Sequence, residues 1–314
     1  MHTEIKSGVW PVMLTPFTEN GTMDRTGCEA LVDWYLENGV TGIFTACLSS
    51  EMFHLSESER IELADWTVKR TKGRVPVASC GGFGKNETEQ IDSIRRMADT
   101  GVDVVILPLG VIFPEALPES RVEEKLLSLP DRLPGIQFGL YECPVPYKRL
   151  ISTELLGRIA ENSTRYRFMK DTCCDRRLLR ARSAAVAGHD LKIFNANLTT
   201  LTDSLRSGCA GFCGIAANFF PDALVEHARA VFAEPARADE MQLIFNTLER
   251  NVEFHYPRGA KTFLRCLGLP ITDVCRTPAE KFNAEELEQI RDFSRFIALW
   301  KQADYRFPHQ SSSK

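Results

Sequence analysis

The stretch IQFGLYECPVPYKRLISTELLGRIAENSTRYRFMKDT, residues 136–172, contains one complete repeat of the pattern that decides the fold. It begins with the apolar run IQFGLYECP (136–144) and ends with the apolar run YRFMKDT (166–172). The longer segment between them mixes polar and apolar residues at helical spacing. Strand-like runs that alternate with helical segments are typical of βαβ units, so this stretch predicts two parallel strands joined by a helix.

The same alternation extends in both directions along the chain. Helix start signals stand between the apolar runs: Asp24, the Ser56 and Glu59 pair of a capping box, and Asn86. The strand candidates, eight in all, are residues 8–17, 42–50, 74–82, 103–110, 136–144, 166–172, 191–197 and 211–218. Eight strands with intervening helices predict an α/β protein with a (β/α)8 TIM barrel rather than an open doubly wound sheet.

The last part of the chain contains no further strand signal. We therefore predict that residues 1–220 form the (β/α)8 barrel, which is the catalytic region, and that residues 221–314 form a C-terminal helical extension. Breaks are expected near 257–259 and 268–270, where proline and glycine cluster. The chain ends in the short polar tail HQSSSK, for which the sequence predicts no packed structure.

Composition narrows the class of partner. The 314 residues are 44% hydrophobic and 25% charged, with a formal net charge of -4. Without a basic surface or a dense block of lysine and arginine, we expect neither nucleic acid nor a membrane as partner, which leaves a small organic molecule. The ten cysteines lack zinc-type spacing, which predicts reduced thiols in a cytoplasmic protein. No targeting segment and no run long enough to cross a bilayer is visible.

Polar residues follow several of the predicted strands at their carboxyl ends, where barrel enzymes place their chemistry. They are Leu48, Ser49 and Ser50 at the second strand, Tyr141 at the fifth, Lys170 at the sixth, and Asn195 and Asn197 at the seventh. Lysine is rarely buried unless it is paired or uncharged, so Lys170 at the end of an apolar run calls for a chemical explanation. No histidine stands at these ends, which argues against a histidine-based triad or metal centre, and we expect no cofactor.

These residues carry a resemblance to a known family. From about residue 7 to 300, the chain resembles the dihydrodipicolinate synthase/N-acetylneuraminate lyase family of class I pyruvate-dependent aldolases. The matching segments are PVMLTPF, CLSSEMFHLSESER, YECP and FMKDTCCD, the last resembling the strand that bears the Schiff-base lysine. The separation of Tyr141 and Lys170 is also close to that of the family, and the combination is more specific than any one tetrapeptide.

The resemblance implies a role for each matching residue. Lys170 would condense with the ketone of pyruvate or another 2-oxo acid, Tyr141 would relay protons, and the Ser49-Ser50 turn would hold the carboxylate. The predicted substrate-contacting residues are Leu48, Ser49, Ser50, Asn195, Asn197 and Cys213. The family also implies a homotetramer built as a dimer of dimers.

The chemistry is consistent with these roles on physical grounds. An amine attacks a carbonyl only when it is unprotonated, and a partly desolvated site makes the neutral form of a lysine available. The iminium then withdraws electrons from the adjacent bond, while a nearby phenol transfers the proton. Each residue also has a purely structural explanation: Ser49 and Ser50 as turn residues, Glu51 as a first-turn acid, and Cys173 and Cys174 as small packed side chains.

Departures from the family pattern limit the function. In dihydrodipicolinate synthases an arginine shortly after the tyrosine recognises the second substrate, but Pro146 lies in that region here, and 109–111 read Leu-Gly-Val in place of adjacent tyrosines. Leu48 replaces the first threonine of the proton relay. The resulting prediction is a Schiff-base aldolase or lyase that is not a true dihydrodipicolinate synthase, and the sialic acid lyase assignment is also weak.

Three alternatives remain open at this point. A 2-keto-3-deoxy sugar acid dehydratase or a hydratase-aldolase would use the same iminium. A non-catalytic paralogue that binds a 2-oxo acid would keep the barrel and the pocket but lose turnover through the interrupted relay. A phosphate-binding barrel enzyme would need a glycine-rich anion loop after strands 7 and 8, and GIAANFFPDA is a poor one.

Overall fold

Eight parallel strands form the centre of the computed structural model, which describes residues 4–278 and 281–306. The strands are β1 (Gly8–Val9), β2 (Ile43–Thr45), β3 (Val77–Cys80), β4 (Val104–Pro108), β5 (Phe138–Tyr141), β6 (Tyr166–Asp171), β7 (Lys192–Asn195) and β8 (Gly211–Phe212). They pair in the order β1-β8-β7-β6-β5-β4-β3-β2. A parallel bridge between Val12 and Phe44 joins the segment after β1 to β2 and closes the ring. The predicted (β/α)8 barrel is confirmed.

Helices follow the strands around the barrel and continue beyond it. They are α1 (Arg25–Glu37), α2 (Glu57–Thr71), α3 (Glu87–Ala98), α4 (Leu109–Ile112), α5 (Glu119–Arg132), α6 (Thr153–Asn162), α7 (Arg176–Ala185), α8 (Leu201–Arg206), α9 (Pro221–Ala233), α10 (Pro235–Glu253), α11 (Arg258–Cys266) and α12 (Ala284–Gln302). The C-terminal helical extension is thus confirmed. The domain division at residue 220 stays a prediction, and the tail HQSSSK lies outside the described residues. Within the described part of the chain, no helix has the length and apolar composition needed to cross a membrane.

Several strands are shorter than the apolar runs that predicted them. The run 42–50 leaves the sheet after Thr45 and forms a 3-10 turn at Leu48–Ser50. The run 103–110 ends in the short helix α4, and the run 211–218 ends in another 3-10 turn at Ile215–Asn218. These extra residues stay largely buried at the mouth of the barrel. The apolar composition of these runs therefore indicates that the residues are buried, and does not indicate that they pair in a strand.

Helix starts agree with their local signals. Ser56 caps α2 through the backbone N–H of Glu59, whose carboxylate accepts from the backbone N–H of Ser56 in return, so the capping box is confirmed. Asn86 accepts from the backbone N–H of Glu89 at the start of α3. Asp24 occupies the capping position of α1 but makes no capping hydrogen bond with its side chain. Such signals depend on residues three positions apart, which is why they could be read locally.

The barrel interior is filled by aromatic rings. Phe168 and Phe194 stack with their centroids 4.3 Å apart, and Trp10 packs edge-on against Phe168 at 5.0 Å. Phe44 lies 6.3 Å from Phe168. Gly42 makes room for this packing, because a side chain there would approach the Trp10 ring to 2.4 Å. The rings form a packed floor, so a ligand can enter only above them, at the mouth.

Candidate active site

Lys170 projects into the mouth of the barrel from the end of β6. Side chains alternate between the two faces of a strand, so Lys170 and Phe168 share the interior face. The lysine is only 5% exposed. Its Nζ atom lies 4.4 Å from the centroid of the Tyr141 ring and 5.5 Å from that of Phe44. An apolar strand ends in lysine here because the amine is held above aromatic rings rather than in solvent.

Tyr141 stands beside Lys170 on the neighbouring strand. The two residues are direct partners in the register of β5 and β6. Tyr141 is 2% exposed, and burial together with the nearby thiol of Cys143 raises the pKa of its phenol well above the usual value. Tyr141 is therefore a neutral proton donor next to the amine.

The two predicted serines in the turn after β2 have different surroundings. Ser50 Oγ donates to the carbonyl of Met13 at 2.6 Å and accepts from the backbone N–H of Cys47 at 3.1 Å, so its hydroxyl is occupied within the turn. Ser49 is 5% exposed and borders the space above Lys170. Leu48 borders the same space. The turn thus presents one hydroxyl and one apolar side chain to a ligand.

A cavity of about 380 Å³ lies at this end of the barrel. Among its lining residues are Leu48, Ser49, Tyr141, Lys148, Lys170, Asn197, Gly214, Glu249, Glu253, Tyr256 and Thr277. Of the eight residues predicted from the sequence, those in the lining are Leu48, Ser49, Tyr141, Lys170 and Asn197, and those not in it are Ser50, Asn195 and Cys213. Helix α10 and the segment after it supply Glu249, Glu253, Tyr256 and Pro257, which the strand pattern could not indicate.

The predicted site residues at the ends of β7 and β8 also differ in whether they reach the cavity. Asn195 is buried and its amide donates to the hydroxyls of Thr200 and Ser204, each at 3.0 Å. Asn197 reaches the cavity, while its side-chain oxygen accepts from Thr200 at 3.0 Å. Cys213 is fully buried, and burial raises the pKa of its thiol to about 12. Of these three residues, Asn197 alone lines the cavity.

A larger depression of about 590 Å³ opens at the opposite end of the barrel. It is lined by residues at the N-terminal ends of strands, including Gly8, Lys192 and Ala210, and by His189. Chemistry in barrels of this type takes place at the carboxyl ends of the strands. The smaller cavity, which holds Lys170 and Tyr141, is the candidate active site.

Glu51 anchors the C-terminal region to the turn that carries Ser49. Its buried carboxylate pairs with Lys261 Nζ at 2.7 Å and accepts from the backbone N–H groups of Arg276 and Thr277, each at 2.6 Å. The explanation of Glu51 as a first-turn acid is wrong, because α2 begins only at residue 57. The helical extension therefore helps to shape the active-site mouth.

The thiols and acids do not form a metal site in the part of the chain that the structure describes. All ten cysteines carry free thiols. Burial raises the pKa of Cys173 to about 12 and that of Cys209 to about 11, so these thiols stay protonated. Within residues 4–278 and 281–306, no group of three or more His, Cys, Asp and Glu side chains is arranged to hold an ion. The candidate site is instead centred on Lys170 and Tyr141.

Comparison with known families agrees with this geometry. A sequence model of the dihydrodipicolinate synthetase family matches residues 6–295. The chain belongs to this family.

Relatives within the dihydrodipicolinate synthetase family are distant. The chain is 27% identical to 4-hydroxy-tetrahydrodipicolinate synthase of Rhizobium meliloti over 292 residues, 91% of this chain and 97% of that enzyme. An uncharacterized DapA-like lyase of the same organism is 33% identical over 108 residues, 34% of this chain and 36% of that lyase. The structure of YagE, a prophage protein of this family from E. coli K12, in complex with pyruvate, has a TM-score of 0.82 at 21% identity, with 93% of this chain and 99% of YagE covered. This last likeness shows the fold.

The segment after Tyr141 departs from the pattern of dihydrodipicolinate synthases. Pro146 lies in the region expected for the substrate-binding arginine, and the nearest arginine, Arg149, is turned away. Its guanidinium donates to the carbonyl groups of residues 114, 115 and 117 at 2.6 to 3.1 Å. Lys148 borders the cavity and donates to the carbonyl of Thr172 at 2.8 Å. The cavity thus has a single exposed ammonium at its rim instead of a bidentate guanidinium.

Arg182 of α7 connects the two strand ends that carry the central pair. Its guanidinium binds both oxygens of Glu142, at 2.6 and 3.0 Å, and also contacts the carboxylate of Asp171. All three side chains are fully buried. Glu142 directly follows Tyr141 and Asp171 directly follows Lys170, so this ion triad holds the two strand ends together. No local sequence pattern indicates this triad, because its partners lie on separate elements.

We expect Arg182→Met to destabilise the protein by about 3–5 kcal/mol, because two buried carboxylates would lose their shared cation. Burial already raises the pKa of Glu142 while Arg182 lowers it. Without the arginine, burial acts alone, and protonation of Glu142 in the folded state would restore stability as the pH falls. Chemical denaturation should therefore show a larger loss at pH 8 than at pH 5. Arg180→Met, on the exposed face of the same helix, is the control, and equal losses in the two variants would refute the triad's role.

Proposed function

We propose that the protein is a class I aldolase or lyase that forms a Schiff base between Lys170 and pyruvate or another 2-oxo acid. The observation that carries this proposal is the placement of Lys170 and Tyr141 as register partners in one cavity, with Ser49 in the same lining. Membership of the dihydrodipicolinate synthetase family supports it, as does the relative whose structure contains pyruvate. The two catalytic residues would be Lys170 and Tyr141.

The first step is attack of the lysine amine on the ketone carbon of the 2-oxo acid. A new C–N bond forms, the carbonyl oxygen takes one proton from the amine and one from solvent and leaves as water, and a C=N iminium remains. The aromatic floor supports this step by holding the amine at the mouth of the barrel, with Nζ 5.5 Å from the centroid of the Phe44 ring. Ser49 lies where a hydroxyl donor can hold the substrate carboxylate.

The second step makes or breaks a carbon–carbon bond. In the condensation direction, the carbon next to the iminium loses a proton to solvent and gives an enamine, whose electron pair attacks the aldehyde carbon. Tyr141, as a neutral phenol, donates its proton to the aldehyde oxygen as the bond forms. Cleavage follows the same path backwards, with the electrons of the broken bond taken up by the iminium.

The second substrate is proposed to differ from that of dihydrodipicolinate synthases. Pro146 offers neither charge nor donor, and Arg149 is engaged by carbonyl groups outside the cavity. Glu249 and Glu253 add negative charge to the rim, and burial with the neighbouring Glu253 raises the pKa of Glu249 to about 7. A second fragment that is less polar or anchored differently fits this mouth better than a carboxylate-bearing aldehyde.

Two other functions share the same covalent intermediate or pocket. A 2-keto-3-deoxy sugar acid dehydratase or hydratase-aldolase would proceed through the same iminium. The replacement of a relay hydroxyl by Leu48, which borders the cavity, favours a non-catalytic 2-oxo acid binding paralogue as the second candidate. Adduct formation without any turnover would identify that paralogue.

We further propose a cytoplasmic homotetramer assembled as a dimer of dimers. The support for the assembly is family resemblance, and the support for the compartment is the set of ten free thiols. Sedimentation at micromolar concentration measures the assembly directly.

The function is tested by reductive trapping. The protein is incubated with each member of a set of 2-oxo acids and borohydride, and its intact mass is recorded. A mass gain equal to one reduced adduct identifies the covalent substrate without a coupled assay. No adduct with any 2-oxo acid would refute the proposal.

The same preparation tests specificity. With pyruvate and aspartate semialdehyde together, we expect no detectable condensation, because the carboxylate of the semialdehyde has no bidentate partner at Pro146. Product formation is followed by mass spectrometry against a dihydrodipicolinate synthase as positive control. Rapid condensation would overturn the specificity argument while leaving the Schiff-base chemistry intact.

A further inference from the structure

A second phenol borders the cavity that holds Tyr141. Tyr256 lies between α10 and α11, in the C-terminal extension, and lines the same space as Lys170 and Ser49. No segment of the family resemblance pointed to it. Its position in the lining raises the question of what its hydroxyl does there.

The hydroxyl of Tyr256 belongs to a hydrogen-bond network with a fixed direction. Asn218 is fully buried, and its amide nitrogen donates to the carbonyl of Val12 at 2.9 Å and to the hydroxyl of Tyr256 at 2.8 Å. Because a carbonyl can only accept, Val12 determines which end of the amide is the donor. The other end, the amide oxygen, accepts from the hydroxyl of Tyr35. Tyr256 thus receives a hydrogen bond, and its own proton is free for another partner.

Ser49 is the candidate for that partner, because it borders the same cavity as Tyr256 and its hydroxyl is near enough to the phenol to affect the pKa of Tyr256. Burial raises the pKa of Tyr256 well above its usual value, so the phenol stays neutral and able to donate. A serine hydroxyl has one proton and two lone pairs. If the phenol donates to the oxygen of Ser49, the serine proton is left to point into the cavity.

We propose that Tyr256 is a positioning residue that holds the Ser49 hydroxyl as a donor toward the carboxylate of the bound 2-oxo acid. The inference rests on the proposed Schiff-base function and adds to it a residue for recognition of the carboxylate. It also gives the helical extension a part in substrate binding, together with the anchoring of Glu51 by Lys261 in the same turn. Tyr141 and Tyr256 then have separate roles, proton transfer and carboxylate binding.

The roles are separated by Tyr256→Phe, which keeps the ring and removes only the hydroxyl. We expect the pyruvate concentration for half-maximal trapping, and the KM of the 2-oxo acid, to rise about threefold to tenfold, the usual effect of one lost hydrogen bond. The kcat should stay within about threefold. Tyr166→Phe is the matched control, since this buried phenol donates to the carbonyl of Leu126 at 2.6 Å and is not part of the cavity lining.

A double-mutant cycle tests whether Tyr256 acts through Ser49. Ser49→Ala should raise the same half-saturation concentration about tenfold or more, because a hydrogen bond to a charged group is lost. Tyr256→Phe in that background should add nothing. Additive losses, an unchanged KM in Tyr256→Phe, or a fall confined to kcat would each overturn the inference.

Pyruvamide provides a measurement that does not depend on the double variant. It keeps the ketone but lacks the carboxylate charge, so the penalty of Tyr256→Phe should be smaller with pyruvamide than with pyruvate. An equal penalty with both compounds would indicate a merely structural effect and refute the inference. If the wild-type protein forms no adduct with any 2-oxo acid, the proposed function fails and the inference falls with it. If the wild-type protein forms the adduct but Tyr256→Phe leaves the pyruvate concentration for half-maximal trapping unchanged, only the inference about Tyr256 is refuted.

Discussion

Replacing Lys170 by arginine is expected to abolish trapping of 2-oxo acids and to lower turnover by about four to six orders of magnitude, the scale of losing a covalent nucleophile. Arginine keeps the positive charge, but its guanidinium is never deprotonated in a protein and cannot form the iminium. The measurement is intact mass after borohydride reduction, followed by peptide mapping of the wild-type adduct to Lys170. Thermal unfolding of the variant establishes that the fold is retained.

Lys148 is the informative control, because it also lines the cavity. Its ammonium donates to the carbonyl of Thr172 and is exposed at the rim, whereas Lys170 is buried over the Tyr141 ring. We expect Lys148→Arg to retain trapping at the wild-type stoichiometry. An adduct mapped to Lys148, or one that survives in Lys170→Arg, would move the Schiff base to the rim and remove the basis of the mechanism.

The barrel could be predicted because its signals are short-range. Alternation of apolar runs with helical segments indicated eight strands, and the described part of the chain contains eight. The capping box of Ser56 and Glu59 needs only residues three positions apart. Strand ends were harder: residues 109–112 and 215–218 are apolar like the strands before them, yet they form helical turns at the mouth. Burial selects for apolar residues in both conformations, so composition could not distinguish them.

Lys170 and Tyr141 could be placed together because adjacent strands in a barrel bring their carboxyl ends to one edge. The buried ion pairs near the site could not be predicted in this way. Glu51 meets Lys261 across 210 positions of sequence, and Arg182 meets Glu142 across 40. Such contacts depend on how the helices pack around the barrel, which no local pattern records. The resemblance does not indicate them either, since none of the matching segments contains Lys261 or Arg182.

Tyr141→Phe is expected to lower kcat by about a hundredfold to ten-thousandfold, the usual contribution of a positioned acid–base group. The half-saturation concentration of the 2-oxo acid should change far less, because removal of one oxygen leaves the ring packed against Phe44 and beneath the amine. The assay uses the best substrate found by trapping, with kcat and KM determined separately. The variant should still form the reduced adduct, since iminium formation needs the lysine rather than the phenol.

The contrast with Tyr256→Phe makes this prediction specific. Both substitutions remove a hydroxyl from the same cavity, so a general disturbance of the site would affect kcat and KM alike in both. If Tyr141 transfers the proton and Tyr256 orients Ser49, the first variant loses kcat and the second loses affinity. Because the pKa of Tyr141 is raised, its phenol stays neutral through the physiological range, and the loss in Tyr141→Phe should be the same at pH 6 and pH 8. An unimpaired Tyr141→Phe would remove the phenol from the mechanism and leave proton transfer to the substrate or to water.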